Sequence, residues 1–401
     1  MTSTARPRVR EWGLRPGKLP PGPKNGITDV AGVRVGQTTL VAGDGILSPG
    51  HGPVRTGVTV VLPHGGDLFA DKVRAAVHTI NGYGKVLGFE QVRELGVLES
   101  PIALTNTLNV GLVADGLVQY AVERHPAIGV TTSSVNVVVG ETNDGHLNDL
   151  QGRHVRSEHV LAAIKEASSR SPAEGAVGAG AGTSCFGWKG GVGTASRQLP
   201  CEVGGFTVGA LVQTNFGLAE DLTVLGVPVG EHVQPPEHVQ PPEHVQPPEH
   251  VQPLEHVQPL QDDGAGFDVE DGSVMVVLAT DAPMSARQLQ RLCARAAVGL
   301  ARTGAVHGHG SGDFVIGFST AEPLSHDPPG ITAQRVSVVN EAEAMGWFFP
   351  AVAESVEEAV LNALWRAVTV VGRDGNTRHA LPLEEIEAIL GRYGRVRWAY
   401  R

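Results

Sequence analysis

The stretch His307-Gly308-His309-Gly310-Ser311-Gly312-Asp313-Phe314 is the most informative part of the sequence. It places a serine between two glycines, directly before an apolar run that extends from Phe314 to Phe318. A short apolar run of this kind is typical of a buried strand. The simplest interpretation is therefore a glycine-rich turn that leads into a strand of the core.

The same stretch also allows a chemical interpretation. A serine hydroxyl is a weak nucleophile at neutral pH and needs a base beside it. Cleavage of the backbone between Gly310 and Ser311 would give Ser311 a free α-amine, whose ordinary pKa is about 7.7–8.0. Glycine suits the acyl side of this bond, because a peptide whose serine attacks the preceding carbonyl must adopt backbone geometry that a side chain obstructs. One residue would then carry both the nucleophile and the general base.

Composition limits the classes of function. Of the 401 residues, 41% are hydrophobic and 18% are charged, which predicts a sizeable core. The formal net charge of −11 argues against nucleic acid and anionic membranes as partners. Three cysteines without metal-ligand spacing indicate a reducing compartment and buried, inert thiols. Neither a signal peptide nor an apolar run of about 18 residues is evident, so we expect a cytoplasmic protein.

Strand and helix patterns follow an irregular arm at residues 1–25. Strands are predicted at 57–63, 101–105, 135–139, 205–213, 273–280 and 314–320. Helices are predicted at 112–124, 157–167, 285–302, 352–371 and 382–390. Because the strands and long helices do not alternate strictly, the pattern predicts an α+β fold with helices outside sheets of mostly antiparallel strands.

A hexapeptide repeat interrupts this pattern. Glu-His-Val-Gln-Pro-(Pro/Leu) recurs five times between Glu231 and Leu260 and is followed by Gln261-Asp262-Asp263. Its proline density excludes helix and central strand and leaves polyproline II or disorder. We expect residues 231–263 to be a solvated, dispensable spacer. A histidine stripe that binds metal or protons, and a ligand for a polyproline-binding groove, are the alternatives.

A glycine-rich loop at residues 189–197, KGGVGTASR, invites comparison with a phosphate-binding loop. Its residue order is wrong, because the lysine of a P-loop follows the last glycine and precedes Ser or Thr. A close-packed turn between strands is therefore the favoured interpretation.

Eight short segments, taken in order, resemble the self-processing aminopeptidases typified by the L-aminopeptidase/D-esterase and the β-peptidyl aminopeptidases, peptidase family S58. The resemblance extends from about residue 26 to 370, apart from the repeat. Several separate matches in one order are more specific than any single match. The segments are GITDVAGV (26–33), RTGVT (55–59), NGYGK (81–85), LTNT (104–107), GETNDG (140–145), KGGVGTASR (189–197), TNFG (214–217) and HGSGD (309–313).

The resemblance implies a precursor that is cleaved at Gly310–Ser311 into an α chain, 1–310, and a β chain, 311–401. Both belong to one catalytic domain at 26–401, a four-layer αββα sandwich resembling N-terminal-nucleophile hydrolases, and the heterodimers assemble into homo-oligomers. The implied activity releases N-terminal residues from small peptides, amides or esters through an acyl-enzyme on Ser311. Neither a metal nor an organic cofactor is implied.

The resemblance also implies roles for three residues near the nucleophile. Asn215 corresponds to an oxyanion-hole donor, and one such donor is worth about 10²–10³ in rate. Glu141 corresponds to a carboxylate that binds the free amino group of the substrate. The alternatives are a strand-capping turn for Asn215 and a surface turn for Glu141. Asn143 is a candidate catalytic residue beside Ser311 and Asn215. It replaces an aromatic residue of many relatives, and it can donate a hydrogen bond but cannot carry a proton.

Two points stay open in the sequence. Some relatives place a second serine and a glutamate about 35–40 residues after the nucleophile, but residues 344–349 contain neither, and Glu341 and Glu343 are out of register. Asp313 either stabilises the new ammonium of Ser311 or belongs to a surface turn. The alternative functions are an acyltransferase of the ornithine-acetyltransferase type, which uses threonine as nucleophile, and a non-catalytic binding protein that uses the proline-rich repeat.

Overall fold

The computed structural model describes residues 6–236 and 272–395. Of the predicted spacer at 231–263, residues 237–263 lie outside the described part of the chain. The strands of the described part are β1 (Arg34–Ala42), β2 (Val54–Leu62), β3 (Asp71–Gly82), β4 (Val97–Leu98), β5 (Ile102–Asn106), β6 (Val138–Thr142), β7 (Ser184–Cys185), β8 (Trp188–Lys189), β9 (Val192–Gln198), β10 (Thr207–Asn215), β11 (Ser273–Thr280), β12 (Gly312–Ser325), β13 (Val370–Val371) and β14 (Thr377–Arg378). The α-helices are α1 (Phe89–Leu95), α2 (Val110–Arg124), α3 (Ser157–Glu166), α4 (Ala286–Cys293), α5 (Ala296–Ala301), α6 (Glu341–Arg366) and α7 (Leu383–Arg392).

The two larger sheets of the described residues lie face to face. One has the strand order β1-β2-β5-β6, and the other has the order β4-β3-β12-β11-β10-β9. Most neighbours pair antiparallel, as the sequence predicts, but each sheet contains one parallel pair, β5 with β6 and β11 with β12. The β5–β6 connection contains α2, and the β11–β12 connection contains α4 and α5.

Three apolar clusters hold four layers together. The first lies between α2 and α3 and the smaller sheet, the second between the two sheets, and the third between the larger sheet and helices α4, α5 and α6. Strand β11 shows how the sequence achieves this, because Val274 and Val276 belong to the third cluster while Met275 and Val277 belong to the second. Successive side chains of a strand point to opposite faces, so a strand buried on both faces is continuously apolar. The expectation of an α+β, four-layer αββα architecture is confirmed.

The irregular arm at the start of the described chain is tied to α6. Residues 6–25 contain neither α-helix nor strand, and the Arg10 guanidinium lies 2.7 Å from the Glu358 carboxylate. The backbone amides of Lys18 and Leu19 donate to Glu354, each at 2.9 Å. The arm thereby covers one face of α6 and supplies partners for two buried carboxylates.

Helix α6 differs most from its prediction. It begins at Glu341 rather than at residue 352 and continues through Pro350. A proline inside a helix removes a hydrogen bond and costs about 3 kcal/mol, but Met345 and Phe348 are buried and hold the preceding turns against the core. The helix ends at Arg366 rather than at residue 371, because Val370 and Val371 pair with β14 instead.

Two other boundaries also differ from their predictions. The helix predicted at 285–302 begins with the predicted capping box at Ser285, but it is divided into α4 and α5. Strand β6 runs from Val138 to Thr142 rather than from 135 to 139, so it extends past Gly140 and includes Glu141. The interpretation of Glu141 as part of a surface turn is therefore wrong.

We predict that Gly193→Ala destabilises the fold by about 1–3 kcal/mol, because the added Cβ would lie 1.9 Å from the carbonyl oxygen of Ala359 in α6. A matched control is Gly111→Ala in α2, where no atom lies within 4 Å of the added Cβ. The control should be neutral or stabilising by at most about 1 kcal/mol. Urea unfolding of both variants measures the difference, and equal stabilities would contradict close packing of β9 on α6.

Candidate active site

Ser311 lies immediately before β12, in the interior of the larger sheet. Its side chain is fully buried, with 0% exposure. The strand register places Gly312 opposite Ser273 of β11, and Ser273 opposite Asn215 of β10. Since neighbouring strands lie about 4.7–4.9 Å apart, Asn215 and Gly312 are about 10 Å apart across this row. The sheet therefore brings together residues that are nearly a hundred positions apart in the sequence.

Ser273 links two of the residues predicted for the site. Its hydroxyl oxygen accepts a hydrogen bond from Asn215 Nδ2 at 3.3 Å and another from the backbone amide of Asn143 at 3.2 Å. Asn215 Oδ1 accepts from the backbone amide of Ser184 at 3.1 Å, which fixes the orientation of the side-chain amide. An amide nitrogen carries two hydrogens, so one hydrogen of Asn215 is available for a ligand. No motif in the sequence singles out Ser273, which begins an ordinary apolar strand.

A tight turn holds the Gly310–Ser311 bond. The backbone amide of Ser311 donates to the carbonyl of Gly308 at 3.0 Å. Asn81 Nδ2 lies 3.0 Å from the carbonyl oxygens of Gly308 and His309 and 2.6 Å from that of Ser311. These contacts clamp the turn on both sides of the candidate scissile bond.

A β-bulge aims Asn81 at this turn. Asn81 of β3 lies opposite Asp313 of β12, whereas Phe314 lies opposite Thr79, so Ile80 has no partner across the two strands. Bulges redirect side chains and occur often beside active sites. Asn81 belongs to the segment NGYGK of the resemblance, but only the strand pairing shows what it contacts.

Asp313 connects the nucleophile to a histidine. Ser311 Oγ donates to Asp313 Oδ1 at 2.6 Å, and Asp313 Oδ2 lies 2.8 Å from His307 Nδ1. Asp313 is 0% exposed, so the surface-turn interpretation of this residue is wrong. His307 was not among the predicted site residues.

Glu141 is a buried carboxyl beside the strand that Ser311 precedes. Its Oε1 accepts from the backbone amide of Lys85 at 2.9 Å, and the Lys85 ammonium lies 3.9 Å away. A Cβ on Gly84 would lie 3.1 Å from Gly312 Cα and 3.4 Å from Glu141 Oε1, so both groups lie close to Gly84. Burial raises the pKa of the Glu141 carboxyl above its ordinary value. A cationic ligand would therefore stabilise its ionised form.

A cavity of about 950 Å³ opens beside the turn. Asn143, Asn215 and Gly310 line it together with Arg373 and Arg378. The cavity therefore reaches the glycine of the candidate scissile bond while the serine lies buried in the intact chain.

Arg378 gives the cavity a cationic wall. Its Nε donates to Ser184 Oγ at 2.9 Å, and Ser184 in turn holds Asn215. Burial lowers the pKa of Arg378. Within the described part of the chain, no carboxylate lies within 4.0 Å of its guanidinium.

The glycine-rich loop has a structural role. Lys189 is fully buried, and its ammonium donates to the carbonyls of Gly180, Thr183 and Gly190 at 2.7–2.9 Å. Burial lowers the pKa of Lys189 to about 7, whereas the three carbonyls favour the ammonium. A phosphate could not reach this nitrogen, and the interpretation as a close-packed turn is confirmed.

Other candidate groups have partners away from Ser311. Glu341 is bound by Arg287 and Arg291 of α4, and Glu343 by Asn340.

The expectation of buried thiols is confirmed for Cys185 and Cys293 and is wrong for Cys201, which is exposed.

The part of the chain that the structure describes offers neither a metal-ligand cluster nor a membrane-spanning helix. No group of three or more His, Cys, Asp or Glu side chains there is arranged to hold a metal ion. Likewise, none of the helices within residues 6–236 and 272–395 is both long and apolar enough to span a bilayer.

Comparison with known proteins decides the family. The sequence model of peptidase family S58 matches residues 25–378, which include every site residue described above. The chain belongs to peptidase family S58. It is therefore a hydrolytic enzyme, and the resemblance seen in the sequence is confirmed.

Named relatives of this S58 peptidase cover nearly the whole chain. It is 40% identical over 391 residues to the β-peptidyl aminopeptidase BapA of Sphingosinicella microcystinivorans, covering 97% of this chain and 93% of that protein. A Burkholderia sp. β-aminopeptidase structure superposes with a TM-score of 0.82, at 39% identity and with 97% and 99% of the two chains covered. The L-aminopeptidase D-Ala-esterase/amidase of Ochrobactrum anthropi, a variant of the Ntn-hydrolase fold, superposes with a TM-score of 0.81 at 35% identity, with 98% and 100% covered.

Proposed function

We propose that this S58 peptidase is a serine aminopeptidase that activates itself by cleaving its Gly310–Ser311 bond. The observation that carries the proposal is the position of this bond, clamped in a tight turn before a central strand, with Asn215 and Glu141 nearby. Cleavage gives an α chain, 1–310, and a β chain, 311–401. The pairing of β12 with β11 and β3 would keep the two chains together.

The reaction then proceeds through an acyl-enzyme. The Ser311 hydroxyl attacks the carbonyl carbon of the substrate, while the new α-amine of Ser311 takes the hydroxyl proton and passes it to the leaving amine. The second hydrogen on Asn215 Nδ2 stabilises the oxyanion of the tetrahedral intermediate. Water hydrolyses the ester, with the same α-amine as general base.

Glu141 and Asn143 bind the substrate. The Glu141 carboxylate pairs with the free ammonium of the substrate, which selects an unblocked N-terminus. Asn143 Oδ1 accepts from the backbone amide of Gly145 at 2.9 Å, so its NH₂ group is left to donate a hydrogen bond into the cavity.

Small peptides, amides and esters are the proposed substrates. The relatives named above are aminopeptidases that act on β-peptidyl, L-amino acid or D-Ala ester and amide compounds, according to their names. The cavity has the size of a small-molecule site. Matches to aminopeptidases over nearly the whole chain do not favour an acyltransferase or a non-catalytic binding protein. The cytoplasmic location and the assembly into homo-oligomers stay predictions from the sequence.

Self-cleavage is tested by Ser311→Ala, which removes the nucleophile. Denaturing mass spectrometry should show two fragments for the wild type, the smaller beginning at Ser311, and one 42.0 kDa chain for the variant. Hydrolysis of aminoacyl anilides should fall by at least about 10³-fold. Ser325→Ala, an exposed change on the same strand, should cleave and hydrolyse normally. An intact wild-type chain with aminopeptidase activity would contradict the proposal.

The amine-binding role of Glu141 predicts a pH-dependent KM. Because burial raises the pKa of its carboxyl, the ionised form is lost as pH falls through that raised value, and KM for amines should then increase. Glu141→Gln should raise KM by about 10–100-fold, in line with about 1.5–3 kcal/mol for a charged hydrogen bond, and abolish this pH dependence. Glu123→Gln, an exposed change on α2, is the control. An unchanged KM profile in Glu141→Gln would rule out this role.

Because the Arg378 guanidinium lines the cavity, we expect the enzyme to prefer substrates with a free carboxylate on the leaving-group side. The wild type should show a lower KM for an aminoacyl dipeptide acid than for its C-terminal amide. Arg378→Gln should change the ratio of the two KM values about tenfold toward equality, because a charge-assisted contact is lost. The ratio of the two KM values is the measurement, because any disturbance of Asn215 through Ser184 affects both substrates alike. A ratio that matches that of the exposed control Arg170→Gln would contradict the prediction.

A further inference from the structure

The base proposed for the mature enzyme does not exist before cleavage. In the intact chain the nitrogen of Ser311 is an amide nitrogen, and its hydrogen is donated to the Gly308 carbonyl at 3.0 Å. An amide nitrogen has no free lone pair to accept a proton. A different group must therefore deprotonate Ser311 Oγ when the chain cleaves itself.

The geometry offers one titratable group for this step. Ser311 Oγ donates to Asp313 Oδ1 at 2.6 Å, and both residues are 0% exposed. Among residues 6–236 and 272–395, no other titratable side chain is hydrogen-bonded to this hydroxyl. Asp313 lies in β12, paired with Val274 on one side and Asn81 on the other, so its backbone is fixed.

His307 holds the other oxygen of this carboxylate. Its Nδ1 lies 2.8 Å from Asp313 Oδ2, and its Nε2 is buried with no hydrogen-bond partner among the described residues. The backbone at His307 has φ of +58°, in the left-handed region that non-glycine residues seldom adopt. A strained backbone and an unpaired buried nitrogen both carry a cost, and such features cluster at functional sites.

We propose that Asp313 is the general base for cleavage of the Gly310–Ser311 bond and that His307 is the positioning residue that holds its carboxylate. This inference rests on the self-cleavage proposed above and concerns the precursor rather than the mature enzyme. Donation from His307 Nδ1 to Oδ2 leaves Oδ1 directed at Ser311. A carboxylate is a modest base, but the reaction has to occur only once in each molecule.

The chemistry of this step balances. Asp313 Oδ1 takes the proton of Ser311 Oγ as the oxygen attacks the carbonyl carbon of Gly310. The bond between that carbon and the Ser311 nitrogen breaks, and the proton moves from Asp313 to the departing nitrogen. The product is an ester between Gly310 and Ser311 Oγ, together with a free α-amine. Water hydrolyses the ester to a Gly310 carboxylate and the Ser311 hydroxyl.

The proposal also explains a change of role on maturation. Once the α-amine exists two residues from the Asp313 carboxylate, the amine takes over as base for substrate. The carboxylate then faces a group that becomes an ammonium in each cycle, which is the role that the sequence left open for Asp313. Asp313 thus serves cleavage first and supports the amine afterwards.

The test measures self-cleavage of the full chain by denaturing mass spectrometry at timed intervals after synthesis in a cell-free system. Asp313→Asn keeps the size of the side chain and removes the base, so cleavage should slow by about 10²–10⁴-fold, the range for a general base. Asp115→Asn, an exposed change on α2, is the matched control and should cleave at the wild-type rate. Circular dichroism establishes that the uncleaved variant is folded.

The histidine is tested by a pair of substitutions. Asn tolerates the left-handed backbone, and its Nδ2 can replace the Nδ1 donor, so His307→Asn should retain most of the cleavage rate. His307→Gln places its donor beyond Oδ2 and should slow cleavage about tenfold or more, with a changed pH profile. His51→Gln, an exposed change, controls for loss of a histidine. Equal rates in His307→Asn and His307→Gln would assign His307 no positioning role.

The outcomes separate this inference from the proposed function. If the wild type is never cleaved, self-cleavage itself is wrong. If the wild type is cleaved, Ser311→Ala is not, and folded Asp313→Asn is cleaved at the wild-type rate, only the assignment of the base is overturned. If Asp313→Asn does not fold, Asp313→Ala with added formate decides, because restoration of cleavage by the small carboxylate supports the base and no restoration in a folded chain overturns it.

Discussion

The pairing of β12 between β11 and β3 is the constraint on which the rest of the site depends. It fixes Gly312 between Ser273 and Gly82, and therefore anchors the chain one residue after the Gly310–Ser311 bond. Because β12 is bonded on both sides and buried on both faces, its first residues cannot move independently of the sheet. The proposed attack of Ser311 Oγ on the Gly310 carbonyl would need such a support, since reacting atoms have to be held in one geometry.

Burial has opposite effects on the polar groups around this strand. Asp313 and Lys189 are fully buried and hydrogen-bonded, so they add rigidity. Glu141 is buried beside a lysine 3.9 Å away, and burial raises the pKa of its carboxyl, so it gains from a cationic ligand. Burial of a carboxylate is costly, and a cationic ligand nearer than this lysine would offset that cost.

The sequence predicted most elements and failed where tertiary contacts overrode local signals. The strand at 273–280 is found at those residues, because both of its faces are buried and the apolar run is continuous. The apolar pattern predicts that α6 begins at residue 352, but packing of Met345 and Phe348 extends it back to Glu341. A strand predicted to end at Gly140 leaves a surface turn as the alternative interpretation of Glu141, whereas pairing with β5 continues to Thr142.

The sequence by itself determined the family, the α+β architecture and the candidate nucleophile, because these depend on residue types in a fixed order along the chain. It pointed to Asn215, Glu141 and Asn143 through the same ordered segments. Only the tertiary structure decided which side chains meet at Ser311, namely Asp313, with His307 behind it, and Asn81 on the turn. The register between strands that are distant in the sequence and a β-bulge in β3 set those contacts, and both depend on which strands become neighbours in the sheet.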